Sequence, residues 1–185
     1  YGKLWNPGCD GTYLPDRSGC EYLYNEQPGR SVLDEKGILG DTVPLELNAK
    51  ELLHRNNKNS ELTVYGYTPM MVSVQCVQKT MDHCNHACVQ YVLKDRYQKE
   101  FRGVCSCEFC YNTIYNALPT SLLKEKEKAE KLGVKAYRLS FTIETQQETE
   151  KIVRAFVDVY LRGQKPDGQM QTEETTKGHF QRGVE

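Results

Sequence analysis

The chain has 185 residues, enough for one domain with a sizeable core, and its 38% apolar and 26% charged residues are typical of a soluble globular protein. Its net charge of −1 argues against a strongly basic nucleic-acid-binding face over the whole chain. No apolar run approaches the roughly 20 residues that span a bilayer. Eight cysteines and no leader before Tyr1 predict a cytoplasmic protein with metal or redox thiols.

The first half of the chain alternates predicted strands and helices after an irregular start. Residues 1–20 are rich in Gly, Pro and Asp, which predicts loop. The segments that follow are a strand in EYLYNE, a helix in GRSVLDEKGI ending at Gly37, a strand in TVPLELN (42–48) and a helix in AKELLHRN (49–56) with Asn48 as its N-cap. The β-type run SELTVYGYTPMMVSVQ (60–75) is broken at Gly66 and Pro69.

The second half opens with the cysteine-rich segment, in which YVLKDRYQKEF predicts a short hairpin turning at Lys94–Arg96. A short strand in YNTIYN (111–116), a helix in PTSLLKEKEKAEKLG ended by Gly133, a strand in VKAYRLSFTI and a helix in ETQQETEKIVRAFVDVYLRG (144–163) follow. The apolar stripe of the last helix consists of Ile152, Val153, Phe156, Val159 and Tyr160. From Gln164 onward, we expect loop or a mobile tail.

This alternation predicts an α/β protein with a parallel sheet and right-handed crossovers. Only about five strands are predicted, whereas a closed barrel of this kind needs about eight. We therefore expect an open sheet or the later part of a (β/α) barrel, whose unpaired edge strands would favour self-association. The predicted regions are an irregular segment (1–20), a partial barrel domain (21–163) with a cysteine-rich insert (76–110), and a loop or tail (164–185).

The cysteines are concentrated: five of the eight lie between residues 84 and 112. Cys107 and Cys110 form a C-x-x-C pair, a spacing that lets two thiolates bind one metal ion or cluster. Cys76 and Cys84 supply a second pair, so the pattern predicts a four-thiolate site for zinc or an iron–sulfur cluster. The step of eight residues from Cys76 to Cys84 is unlike the tight first knuckle of most zinc ribbons and favours the cluster.

Other interpretations of these residues stay open. The cysteines would form disulfides if a leader peptide had been removed, and Cys9 and Cys20 fit small buried side chains or an incidental thiol pair. His83 and His86 flank Cys84, so one imidazole could replace a thiolate, although a solvated loop histidine is the simpler interpretation.

Several segments, in consistent order, resemble the collagenase-like U32 peptidase family. They are TVPLELNAKEL, ELTVYGYTPMMVSVQC, KDRYQKEF, CEFCYNTIYN, YRLSFTIET and TKGHFQRGVE, and the resemblance runs from about Glu21 to Glu185. It implies a (β/α) barrel-like catalytic domain, of which this chain is the later part and the missing N-terminal half is the partner. It also implies that the metal-binding set is Cys76, Cys84, Cys107 and Cys110, with Cys88 and Cys105 as extra thiols.

The family name is historical for many members, of which some are described as collagen-degrading and several are linked to hydroxylation of RNA bases or quinone precursors. The resemblance thus implies hydroxylation of an RNA base or small molecule, or hydrolysis of a peptide. The implied cofactor is a 4Fe-4S cluster, with zinc as the alternative, and the fragment alone is expected to be inactive. The rival hypothesis is a non-catalytic structural zinc-binding module.

Catalytic side chains carry weaker signals. The motifs G-x-S-x-G and H-E-x-x-H are absent, which removes the usual sequence support for serine hydrolases and zincins. Glu46 ends a predicted strand, where barrel enzymes gather their catalytic groups, and is the candidate acid or base; a carboxylate satisfied by the next helix is an equal alternative. Candidates for substrate contact, for each of which a packing or surface role is the simpler interpretation, are Tyr65, Tyr67, Arg96, Arg138 and His179.

Overall fold

The computed structural model describes residues 21–24, 38–81, 84–107, 110–166 and 174–182. The expected loop at 1–20, with Cys9 and Cys20, the helix ending at Gly37, and His83 lie outside the described residues. The strands are β1 (Glu21–Tyr24), β2 (Ile38–Thr42), β3 (Ser60–Gly66), β4 (Pro69–Ser73), β5 (Val89–Lys94), β6 (Glu100–Ser106), β7 (Tyr111–Tyr115), β8 (Thr120–Ser121) and β9 (Ala136–Ser140). The helices are α1 (Ala49–Leu53), α2 (Val77–Thr80), α3 (Lys126–Lys131) and α4 (Gln146–Phe156), which a π-helical turn (Val157–Leu161) continues; 3-10 turns span Leu123–Glu125 and Gly178–Phe180.

The first sheet is parallel along the path β1–β2–β3–β9. Strand β9 pairs with β3 along Glu61–Gly66, so β2 and the short antiparallel β8 share the other edge of β3. The mixed α/β class is therefore confirmed. In the described part of the chain, the strands do not close into a barrel.

One face of this sheet is covered by helices. Leu62 and Val64 of β3 point to this face and pack with Leu52 of α1, Ala129 of α3 and Phe156 of α4. The alternate positions of the strands point the other way. The ion pair between Glu61 and Arg138, with 2.5 Å between Oε1 and Nη1, lies on that second face, and so does Thr42, which donates to Glu61.

Local signals place the helices of this layer. Asn48 caps α1 as predicted, since its side chain accepts from the amides of Lys50 and Glu51, and Thr145 caps α4 in the same way. The chain leaves α3 at Gly133, whose φ of 65° suits glycine. In the stripe of the last helix, Phe156 and Val159 are buried as predicted, but Val153 is exposed.

Two predicted elements differ from the structure. The strand expected at 42–48 is wrong because β2 ends at Thr42, and Pro44 has no amide to extend the ladder. Glu46 therefore lies in the loop before α1 and not at a strand end. The helix expected from Pro119 begins later, because the segment first pairs with β3 through β8 and through the amide of Leu122, which donates to Val64.

The second sheet is antiparallel, in the order β4–β7–β6–β5. The predicted hairpin is confirmed as β5 and β6, which pair from Lys94 and Glu100 to Val89 and Cys105. The expectation that YNTIYN joins the parallel sheet is wrong: β7 pairs with β6 and β4. The four residues between β6 and β7 are too few for the crossover of a dozen or more residues that parallel neighbours need.

The end of the described chain is docked. Thr176 exchanges backbone hydrogen bonds with Pro119 and Ser121 at 2.9 and 2.8 Å, and Phe180 is buried in the helix-side core. Lys177 forms an ion pair with Glu125. Residues 174–182 thus pack against the domain as a loop with one 3-10 turn. No helix among the described residues has the length and apolar character to cross a membrane.

Candidate metal centre

Three cysteines come together on the antiparallel sheet. The sulfur of Cys105 in β6 lies 3.3 Å from that of Cys76, just before α2, and 3.9 Å from that of Cys107, just after β6. Their exposed fractions are 0%, 4% and 8%, respectively. We call Cys76, Cys105 and Cys107 the thiol cluster. The juxtaposition follows from topology, since β4 and β6 flank β7 and bring Cys76 to the end of β6.

The three thiols have different protonation preferences. A hydrogen bond from the Lys79 backbone amide, together with one from Cys105, lowers the pKa of Cys76. Burial raises the pKa of Cys105 to about 12, with the neighbouring thiols adding to the effect. Burial also raises the pKa of Cys107. Cys76 is therefore the thiol that most readily supplies a thiolate, the form that binds metal, while Cys105 stays a neutral donor.

The remaining described cysteines lie at the surface. Cys84 and Cys88 are exposed, and both are near enough to Cys107 for a thiolate at either position to raise the pKa of Cys107. Cys110 is exposed too, and its sulfur lies 3.7 Å from the carbonyl oxygen of Cys107. All six cysteines in the described part of the chain are free thiols. The proposed ligands Cys76, Cys84, Cys107 and Cys110 therefore lie in one region, but only Cys76 and Cys107 belong to the thiol cluster.

The arrangement is not a closed metal cage. Within the described ranges, no three Cys, His, Asp or Glu side chains are placed to hold a metal ion. Thiolates on one tetrahedral zinc lie roughly 3.8 Å apart, given a Zn–S distance of about 2.3 Å, and Cys76 and Cys105 are closer than that. The Cys107 thiol donates instead to the carbonyl of Ala87 at 2.8 Å. The donor chemistry suits zinc or an iron–sulfur cluster, but thiols must move and lose protons to bind it.

Two polar groups beside the cluster have unmet hydrogen-bonding capacity. Asn112 lies opposite Cys105 in the β6–β7 pairing and donates to the carbonyl of Gln75. Its Oδ1 is buried, and so is the hydroxyl of Tyr91, which packs on the thiol cluster; neither atom has a hydrogen-bond partner among the described residues. Burial and the nearby Cys105 and Cys76 raise the pKa of Tyr91. Buried orphan groups are uncommon in native proteins, and an absent ion or cofactor is one reason for them.

A groove lies at the carboxyl ends of β2 and β3, where open parallel sheets bind ligands. Its walls are mainly apolar, and its polar members are Thr63, Thr68, Thr120, Lys177 and His179. The hydroxyls of Thr68 and Thr120 lie 3.3 Å apart. His179 lines the groove from the docked segment 174–182. Glu46 is exposed in the loop whose neighbours Leu45 and Leu47 form part of the wall.

The other candidates for substrate contact are engaged elsewhere. Tyr65 is buried against Phe141 and Phe156, and Arg138 pairs with Glu61. Arg96 stacks on Tyr97 at 4.7 Å in the β5–β6 turn. Tyr67 is half-buried and lies in the short link between β3 and β4, which connects the two sheets. Packing or ion pairing therefore accounts for Tyr65, Arg96 and Arg138.

The sequence contained a signal for the central place of Cys105. Side chains two residues apart on a strand lie on the same face of the sheet. Gly103 and Cys105 of β6 therefore lie on one face, and Cys107, two residues after Cys105, directly follows the end of the strand. The predicted hairpin placed Tyr91 on the strand next to Cys105, but it did not give the register that sets Tyr91 opposite Gly103.

Comparisons with models of protein families, with curated proteins and with solved structures found no match.

Proposed function

We propose that this chain is part of a U32-type enzyme whose cysteine segment binds an iron–sulfur cluster. The observation that carries the proposal is the convergence of Cys76, Cys105 and Cys107 as buried free thiols. Beside them, the Tyr91 hydroxyl and the side-chain amide oxygen of Asn112 are buried without a hydrogen-bond partner among the described residues, and an absent ion or cofactor is one reason for such groups.

The ligands in this proposal are Cys76, Cys84, Cys107 and Cys110. Cys76 already accepts hydrogen bonds that favour its thiolate, and Cys107 lies close to both Cys84 and Cys110. Cys105, whose pKa is raised to about 12, is the least suited to become a thiolate. It instead donates its S–H to Cys76, which keeps that ligand in place.

The reaction class in this proposal is hydroxylation of an RNA base or small molecule, and an iron–sulfur cluster supplies electron transfer when bound. In this proposal, the mainly apolar groove, with its threonine hydroxyls, Lys177 and His179, is the surface that contacts the substrate. Hydrolysis of a peptide by a metal-activated water is disfavoured, because four thiolates leave no open coordination position.

Anaerobic purification of the chain tests the proposal. We expect brown protein with broad visible absorption, containing iron and acid-labile sulfide, and both are lost in Cys107→Ser. Colourless protein without iron or sulfide, even after reconstitution with ferrous iron and sulfide under anaerobic conditions, would refute it. An assay for hydroxylation tests the reaction class separately from the cluster.

A structural zinc module is the second candidate, and one observation favours it. The cysteines lie on an antiparallel sheet, Pro69–Tyr115, that is distinct from the parallel sheet with the groove. A colourless protein with one bound zinc, and no gain of visible absorption on reconstitution, would select this candidate.

A further inference from the structure

Two thiols of the thiol cluster face each other. The sulfurs of Cys76 and Cys105 lie 3.3 Å apart, and the S–H of Cys105 donates toward Cys76. The thiol of Cys107 is directed elsewhere, because it donates to the carbonyl oxygen of Ala87 at 2.8 Å. A disulfide has an S–S bond of about 2.0 Å, so only a small movement of two side chains separates Cys76 and Cys105 from one.

A buried asparagine holds this pair of cysteines side by side. Asn112 of β7 lies opposite Cys105 of β6 and is 1% exposed. Its side-chain amide donates to the carbonyl oxygen of Gln75, the residue before Cys76. The pair is therefore positioned by the sheet itself, although its members are 29 residues apart along the chain.

The cover over Cys76 is slight. Helix α2, which begins directly after Cys76, is a single turn that buries none of its side chains. Elements with few buried contacts open locally at low cost in free energy. A small hydroperoxide can therefore reach the Cys76 sulfur, although Cys76 is only 4% exposed in the closed structure.

We propose that Cys76 and Cys105 are a reversible redox pair that forms a disulfide when the chain meets hydrogen peroxide. The Cys76 sulfur attacks one peroxide oxygen, the O–O bond breaks, and the leaving oxygen takes the thiol proton and departs as water. The Cys105 sulfur then attacks the sulfenic sulfur of Cys76, the S–O bond breaks, and the second oxygen leaves as water with the Cys105 proton. Two thiols are oxidised to one disulfide, and one peroxide is reduced to two waters.

The disulfide fixes a part of the fold that little else holds. It ties the residue before α2 to β6, and it constrains the segment between Cys76 and Cys105. It also removes Cys76 from the proposed metal ligands, so disulfide and metal exclude each other at this residue. A dithiol reductant reverses the change.

The test uses the full chain with Cys107→Ser and Cys110→Ser, which lacks two proposed metal ligands and so gives a result independent of the cluster. In this background, trypsin releases Cys76 as the sole cysteine of residues 59–79 and Cys105 as the sole cysteine of residues 103–124. After treatment with hydrogen peroxide, alkylation of the remaining thiols and digestion, we expect mass spectrometry to find these two peptides joined, with the loss of two hydrogen atoms. Dithiothreitol before alkylation should separate them, and the unsubstituted chain treated with a chelator should give the same joined pair.

Two further substitutions in this background serve as controls. Cys88→Ser removes an exposed thiol and should leave the joined pair as abundant as before. Cys105→Ser should abolish the joined pair and leave Cys76 as a sulfenic acid, which dimedone traps.

Two results would overturn the inference. One is that residues 59–79 are joined instead to residues 80–94, the peptide that carries Cys84 and Cys88. The other is that Cys76 and Cys105 are still alkylated as free thiols at a peroxide dose that has oxidised Cys84 and Cys88. A chain that forms the disulfide but never carries iron and sulfide would support this inference while refuting the proposed function.

Discussion

Cys105 and Cys107 are two residues apart, yet their surroundings predict different roles. Cys105 is fully buried and donates toward Cys76, whereas Cys107 is the member of the thiol cluster that lies near the exposed Cys84 and Cys88. Metal binding requires thiolates, so the neutral thiol of Cys105 is the poorest ligand. This contrast makes the ligand set testable residue by residue.

Serine substitutions distinguish the ligands from the other cysteines. Cys107→Ser and Cys110→Ser are expected to lose the metal, because removing one thiolate opens the coordination sphere and leaves the others misplaced. Cys9→Ser and Cys20→Ser should keep full metal content, and Cys105→Ser should keep most of it. Elemental analysis of each purified variant is the measurement. Full metal in Cys107→Ser would refute the assignment.

The raised pKa of Cys105 predicts a loss of stability of the metal-free chain at alkaline pH. Its folded value is about 12 and its ordinary value 9.0, so the folded state holds the proton more tightly. The resulting stabilisation is present below pH 9 and is lost as the pH rises toward about 12. Urea unfolding at pH 8 and pH 11 measures this loss, which should be smaller in Cys105→Ala. Equal losses would show that buried tyrosines, and not Cys105, cause the effect.

At the level of elements, the segment from α2 to the end of β6 depends on the cysteines more than on a core. Its side chains are mostly exposed, and the buried ones belong chiefly to the thiol cluster. Helix α4, by contrast, buries Phe156 in the main core. We expect chelation or oxidative loss of the metal to loosen residues 77–110 first and to leave residues 145–162 protected.

Hydrogen exchange on metal-bound and metal-free chain is the measurement. Faster exchange in residues 77–110 after metal loss, with little change in residues 145–162, is the expected pattern. Equal protection of residues 77–110 in both forms would mean that β-sheet hydrogen bonds alone hold this segment.

The docked segment 174–182 depends on the ion pair between Lys177 and Glu125. Burial opposes ionisation of Glu125, but hydrogen bonds from Lys128 and Lys177 lower its pKa below 4.5. The stabilisation that ionised Glu125 contributes is therefore present above pH 4.5. It is lost as the pH falls through the lowered pKa of Glu125 in the folded state. Glu125→Gln should weaken docking by about 1 kcal/mol and speed exchange in residues 174–182.

Glu130→Gln is the control for this prediction, because Glu130 pairs with Lys126 on the same helix but in an exposed position. Hydrogen exchange in residues 174–182 of the Glu130→Gln variant should match that of the unsubstituted chain. If Glu125→Gln matches it too, burial of Phe180 alone holds the segment.

For the whole molecule, the β4 edge of the antiparallel sheet is the main surface of interest. Strand β4 pairs with β7 on one side and with no other described strand. It exposes Met70, Met71 and Val72, and Val74 just beyond it is 90% exposed. Natural edge strands are usually blunted by charge. We expect the chain to self-associate through β4, as the sequence predicted for an unpaired apolar edge.

Val72→Lys should reduce this association, since a charge at the edge disfavours strand pairing. Val153→Lys, which places the same charge on exposed helix surface, should not. Light scattering at increasing concentration measures both variants. A monodisperse monomer for the unsubstituted chain would show that the open edge is tolerated.

Helix caps and strand breaks were predictable because they depend on neighbouring residues alone. Asn48 accepts hydrogen bonds from amides two and three residues away, and Gly66 and Pro69 interrupt the β run at the point where the chain passes from one sheet to the other. The hairpin at 89–106 is local in the same sense. The grouping of cysteines in the chain also indicated their common region.

Only the tertiary structure decided which sheet each strand joins and which thiols meet. β7 was predictable as a strand, but its antiparallel neighbours follow from the short link to β6 and the return of β4. That arrangement brings Cys105 between Cys76 and Cys107, 29 residues away and 2 residues away along the chain, and lays Tyr91 over Gly103. The contact between Cys76 and Cys105 joins residues distant in sequence, and that between Tyr91 and Gly103 depends on strand register, which local composition does not determine.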